Sequence, residues 1–123
     1  MIFHFKQGNT NQKLTLSLKS FDHDIDLSNS TVRFIMTDHY RQNLLIDELA
    51  AIESISEGTV SYTFHSGQTE LAGTFKAEFE IYDPNNQFKV FPNKEYLSIK
   101  FHPKLRHLQQ NHSSSILDGG DFK

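Results

Sequence analysis

The chain has 123 residues, 37% of them hydrophobic, enough for one domain around a single modest core and too few for two. Eleven Phe and four Tyr with no Trp favour strands and a well-filled core over a disordered chain. A net charge of −3 with scattered basic residues speaks against nucleic acid as a partner, and the absence of cysteine removes disulfides, thiolate nucleophiles and Cys-based zinc sites.

The N-terminal "MIFHFKQGNTNQ" starts apolar but is broken by His4 and Lys6, so it lacks the apolar stretch of a secretory signal. No later run approaches the length of a membrane span, so the expectation is a soluble protein with no membrane partner and no export signal. "KLTLSLK" then alternates strictly, with Leu14, Leu16 and Leu18 on one face and Lys13, Thr15, Ser17 and Lys19 on the other, which predicts a half-buried strand. "SFDHDIDLSNS" is rich in turn formers and leads into a second strand, "TVRFIMT", where Val32, Phe34 and Met36 share a face. After the turn "DHYRQN", the apolar run "LLIDEL" reads as a strand over Leu44–Ile46, with strand or short helix open beyond it.

Past the turn at Ser56-Glu57-Gly58, "TVSYTFH" resumes the period of two, with Val60, Tyr62 and Phe64 inward. In "SGQTELAG", Ser66 is placed to cap one helical turn ending near Gly73, in a segment that crosses between sheets. Phe75, Ala77, Phe79 and Ile81 alternate with Lys76, Glu78, Glu80 and Tyr82, and "DPNN" supplies a hairpin turn. The return strand "QFKVF" stops at Pro92, and "EYLSIKF" adds Leu97, Ile99 and Phe101 to the inner face. Alternation ends after Pro103. The expected organisation is an all-β, immunoglobulin-like antiparallel β-sandwich over residues 1–102, with residues 103–123 as a short C-terminal tail or partner-contacting arm. Without a Cys…Trp…Cys pattern it is not a true immunoglobulin domain.

Candidate chemistry is sparse. Asp22, Asp24 and Asp26 surround His23 in the manner of an oxygen-rich calcium loop, but the bidentate Glu and the fixed Gly of such loops are missing. His102, His107 and His112 are five apart, a spacing that does not share a helical face, and Pro103 interrupts it. No G-x-S-x-G elbow and no phosphate-cradling Gly-rich loop occurs, and Glu78 and Glu80 sit on a solvated strand face flanked by Lys76. No metal, cofactor or catalytic residue is therefore expected. What remains is surface: His39, Tyr40, Tyr82, Phe88 or Phe91, and Tyr96 are more aromatics than one alternating face can hide.

The stretch "ELAGTFKAEFEIYDPNNQFKVFPNKEYLSIKF", together with "LTLSLK", "IDLSNSTVRFIM" and "EGTVSYTF" upstream in the same order, resembles the N-terminal domain of baseplate upper proteins from tailed phages of Gram-positive hosts. The resemblance runs over about residues 1–102 and is most specific from Ala72 to Asn93. It implies a structural, non-catalytic virion component, present in the host cytoplasm before assembly. Such a component docks on the tail and baseplate hub, with a protein such as the distal tail protein as partner, and holds the receptor-binding apparatus in several copies or as a homo-oligomer. Long members of that family continue through a helical linker to a region engaging receptor-binding proteins, which this sequence lacks, so it is expected to be a short member or a portion of one. Phe3 and Phe5 in the N-terminal "MIFHF", a candidate for edge pairing with a neighbour, join His39, Tyr40, Phe88 and Tyr96 as candidate partner-binding residues. A carbohydrate-binding β-sandwich, stacking exposed Tyr and Phe on sugar rings, is the competing expectation.

Overall fold

A computed structural model describes residues 1–20 and 23–107 and turns the period-two segments into strands of two facing sheets. In chain order these are β1 (Ile2–Lys6), β2 (Lys13–Ser17), β3 (Lys19–Ser20), β4 (His23–Asp24), β5 (Thr31–Thr37), β6 (Leu44–Leu49), β7 (Ala51–Ser54), β8 (Thr59–Thr63), β9 (Gly73–Tyr82), β10 (Phe88–Phe91) and β11 (Leu97–His102). A short 3-10 turn follows at Leu105–His107. The larger sheet runs β1-β11-β9-β5-β6, with β10 joining the far half of β9; the smaller runs β2-β8-β7, and β3 with β4 forms a small hairpin.

The alternation decides what is buried. Val32, Phe34 and Met36 of β5, Phe75, Ala77, Phe79 and Ile81 of β9, and Leu97, Ile99 and Phe101 of β11 all point inward from the larger sheet. Leu14, Val60, Tyr62 and Phe64 meet them from the other side. Each of the large apolar side chains among them contributes about 1.5–3 kcal/mol of burial. Phe34 is a hub, stacked on Tyr62 at 4.5 Å and meeting Phe79 and Phe64 at 5.3 and 5.8 Å. Turn chemistry fixes the register outside the strands. In the β9–β10 hairpin the Asp83 carboxylate accepts the backbone N–H groups of Asn85 and Gln87, both at 2.9 Å, and Asn86 takes the left-handed conformation at φ 62. Gly58, at φ 67, passes so close to Leu18 and Ile25 that any β-carbon would meet their carbonyl oxygens at 2.9 and 2.7 Å.

Four local features add to the sequence expectation or depart from it. The N-terminal strand joins the sheet of its own chain as an edge: β1 pairs in parallel with β11, Ile2 opposite Ser98 through Lys6 opposite His102, in an otherwise antiparallel ladder set. Alternation assigns a strand's faces and says nothing about which strand lies beside it. The run from Leu44 stays extended to Leu49, and Ala50, donating its N–H to the Val32 carbonyl at 2.8 Å, hands the chain to β7 in the other sheet, so no helix forms there. The segment after Phe64 crosses between sheets as expected but as turns, because Gly67 sits at φ 93 and the Gln68 side chain takes the His65 N–H at 2.7 Å. The polar "DHDID" region carries the β3–β4 hairpin, closed by Lys19 and Asp24 at 2.8 Å. The predicted tail from residue 108 onward lies outside the described residues, among which no helix is long and apolar enough to cross a membrane.

Candidate partner-binding surface

With the odd positions of β11 and β9 inward, their even positions line the outward face of the larger sheet, and register sets them side by side. His4 lies opposite Lys100 and Lys6 opposite His102, while Lys100 and Ser98 lie opposite Thr74 and Lys76. The His4 and His102 rings stack at 5.1 Å with a 2.8 Å Nδ1–Nε2 hydrogen bond. Desolvation, then the neighbouring His4, Lys100 and Lys6, hold the His102 imidazole below its ordinary pKa. On the far half of β9 the outward groups are Glu78, Glu80 and Tyr82, next to Arg33 of β5, whose Nε binds Asp47 at 2.8 Å. Burial, then Glu80, push the Glu78 carboxyl above its ordinary range.

The β5–β6 loop closes over the middle of this face. The Asp38 carboxylate accepts the Gln42 N–H at 2.9 Å and the Asn43 amide at 2.6 Å, and these bonds hold its pKa below the usual carboxylate range. The same turn sets Arg41 at φ 63, an uncommon conformation for a residue with a β-carbon. Arg41 reaches the Tyr96 hydroxyl at 3.2 Å and lies 5.5 Å from the Tyr96 ring centre, with the Lys76 ammonium at 5.6 Å. A shallow groove of about 520 Å³ results, lined by His39, Tyr40, Arg41, Lys76, Glu95, Tyr96 and Ser98.

The structure thus brings His39, Tyr40 and Tyr96 together, with Tyr40 75% exposed and its ring 5.1 Å from that of His39. Phe88 stands apart on β10, half-exposed against Tyr82 at 5.0 Å and beside a second groove with Phe91 and Pro92. Phe3 and Phe5 turn inward and pack on the core, so the outward residues of β1 are Ile2, His4 and Lys6. Sequence reasoning did not single out Arg41, Lys76 or the His4–His102 pair as site residues. The polar alternation of their strands was the available signal, but their grouping follows from strand order.

Of the other candidates, Asp22 lies outside the described residues, Asp24 is bound to Lys19, and the Asp26 carboxylate accepts both the hydroxyl and the N–H of Ser28. His102 meets His4, while the His107 side chain and His112 lie outside the described residues. Among the described residues no group of three or more His, Asp or Glu is placed to hold a metal. A separate polar network spans the two sheets at one end of the core. Glu48 accepts from His65 at 2.9 Å and from the Gln68 amide at 3.0 Å, and the Tyr62 hydroxyl, with one proton to give, lies 2.9 Å from Gln68 and 3.2 Å from Glu48.

Residues 1–92 match the family model of the BppU N-terminal domain, that of the baseplate upper protein. The chain belongs to this family. It is accordingly a structural domain of the phage tail baseplate, and the match takes in every strand from β1 to β10. The remaining strand, β11, lies between β1 and β9 in the same sheet as the matched part. A comparison with curated proteins finds no match. Among solved structures the chain is similar to CopC from Methylosinus trichosporium OB3b, at 10% identity over 81% of this chain and 82% of that one, with a TM-score of 0.48.

Proposed function

We propose that this BppU N-terminal domain is an adaptor, docking on the tail and baseplate hub and linking it to the receptor-binding apparatus in the virion. The observation that carries the reading is the family match over residues 1–92; the groove around Tyr40 and Tyr96 supports it by supplying a preformed contact surface. The docking body is residues 1–102, because β11 is the central neighbour of β1, and residues 103–123 serve as an arm toward a partner. Several copies around a symmetric hub turn contacts that are weak singly into a durable assembly, without catalysis or cofactor. Phe3 and Phe5 act from beneath, holding β1 in place, while His39, Tyr40, Tyr96 and Phe88 make the contacts.

The competing carbohydrate-binding reading needs open aromatic faces, and the cations against the Tyr96 ring leave Tyr40 and, apart from it on β10, Phe88 to supply the stacking. The deciding experiment is light scattering on the purified protein, alone and mixed with the distal tail protein of the same gene cluster. A new complex of fixed stoichiometry is the expected result. A mixture in which both proteins keep their separate masses rejects the adaptor reading for that partner and moves a glycan-binding screen to the front.

A further inference from the structure

The charges on the outward face of the larger sheet are sorted. Its β1, β11 and near-β9 positions carry His4, Lys6, Lys76, Lys100 and His102 with no Asp or Glu among them, although the whole chain is net acidic at −3. The loop adds Arg41 to this half. Among the described residues none of these four Lys and Arg is in an ion pair, whereas Lys13, Lys19 and Arg33 each hold a carboxylate elsewhere. Glu95 and Glu78 stand at the rims of the groove and its adjoining hollow without pairing to Arg41 or Lys76. Two cations are thus held against one aromatic ring, one of them by a turn that Asp38 locks into an uncommon backbone conformation. Such a preformed, unneutralised pair lining one groove suits carboxylates, to which the Arg41 fork and the Lys76 ammonium can each donate. The neighbouring Tyr40 offers apolar area beside the charge.

We propose that this basic half of the sheet face, centred on Arg41, Tyr96 and Lys76, is the docking site for an acidic segment of a partner protein. Carboxylates of that segment bridge Arg41 and Lys76, its apolar side chains cover Tyr40, and Lys100 and Lys6 extend the complementary field toward the β1 edge. A protein is favoured over a polyanion because the charge is interleaved with aromatic and apolar groups and flanked by two acidic rims. The inference rests on the adaptor reading and names the face it uses.

The test measures binding of the full chain to each tail protein encoded in the same gene cluster, and to duplex DNA, at about 0.05 and about 0.5 M NaCl. The variants are Arg41→Gly, which relieves the backbone at φ 63, a Lys76→Glu/Lys100→Glu pair, and the off-face control Lys89→Glu, each checked for an unchanged thermal melt. The expected result is a tail protein whose affinity falls with salt, drops about tenfold with Arg41→Gly and about a hundredfold with the double reversal, and is unmoved by the control. If the wild type binds a tail protein and both face variants stay within about twofold, the inference is overturned while the adaptor reading stands. If it binds none of them, both fall; if DNA alone is retained and the double reversal releases it, the face reads nucleic acid and the inference is overturned in favour of that class.

Discussion

If β1 is part of the sandwich and not an arm exchanged with a neighbour, Phe5 and Phe64 must depend on each other. Their rings meet edge-on at 5.2 Å, Phe5 half-buried and Phe64 fully so, and Phe64 also touches Phe101 at 5.3 Å. Phe64→Leu keeps most of the apolar area but loses the ring edges, a cost of about 1.5 kcal/mol; Phe5→Leu, partly exposed, costs about 1 kcal/mol. If the two rings act as a pair, the double variant loses about 0.5–1 kcal/mol less than the sum of about 2.5. Urea unfolding followed by far-UV circular dichroism resolves this, since a domain of this kind has about 5–15 kcal/mol to lose. Strict additivity, with Phe5→Leu itself within about 0.3 kcal/mol of wild type, would refute the packing of β1 on this core and leave the strand available for edge pairing with a neighbour.

Gly58→Ala is expected to destabilise by about 3 kcal/mol, since it forces a β-carbon into the left-handed region and against two backbone oxygens; a denaturation midpoint shift with unchanged slope checks it. Burial, chiefly, pushes the Tyr62 phenol up to about 12. Its unfolded counterpart ionises near 10, so the stability tied to this proton is whole below pH 10 and is lost as pH rises toward 12. Tyr62→Phe should flatten that loss in a series of alkaline melts. For His102 the sign is opposite: its folded pKa lies below the ordinary 6.5, so its contribution is present above that pH and drains away as pH falls through the folded value. Melts between pH 7.5 and pH 5, by about half-unit steps, should show a slope that His102→Gln reduces, and an unchanged slope would place the titration elsewhere.

The strands were legible because burial here follows a period of two almost without exception. Leu14, Val32, Phe34, Met36, Val60, Tyr62, Phe64, Phe75 through Ile81 and Leu97 through Phe101 each fall on the face their spacing assigns. Strand neighbours were not legible, since the parallel union of β1 with β11 joins residues nearly a hundred positions apart through backbone hydrogen bonds that carry no side-chain signature. The candidate surface divides the same way. The surplus of aromatics announced exposed rings, and Tyr40 and Phe88 are exposed; the inward turn of Phe3 and Phe5 follows from the register that sets them opposite the inward Ile99 and Phe101. Lys76 and Lys100 read as ordinary solvated positions until register set them on one face with Lys6.

The division of labour between the two ends of the large sheet follows from its edges. β1 is an outer strand, yet it is tied down by the Ser98 N–H to the Met1 carbonyl at 2.9 Å, the Gln7 N–H to the His102 carbonyl at 2.8 Å, and two inward Phe rings. Its outward positions include Lys6, the kind of charge that discourages indiscriminate strand addition at a free edge. In the docking mode proposed above, a partner is directed away from backbone pairing and onto the face, where Arg41, Tyr96 and Lys76 are already in place. Under that proposal pre-organisation matters, because ordering a loop at every docking event would cost each copy in the assembly separately. The Asp38 turn removes that cost in the free protein, so loosening it with Asp38→Ala should weaken partner binding more than it lowers the melting temperature. Equal losses in both would show that the turn serves the fold alone.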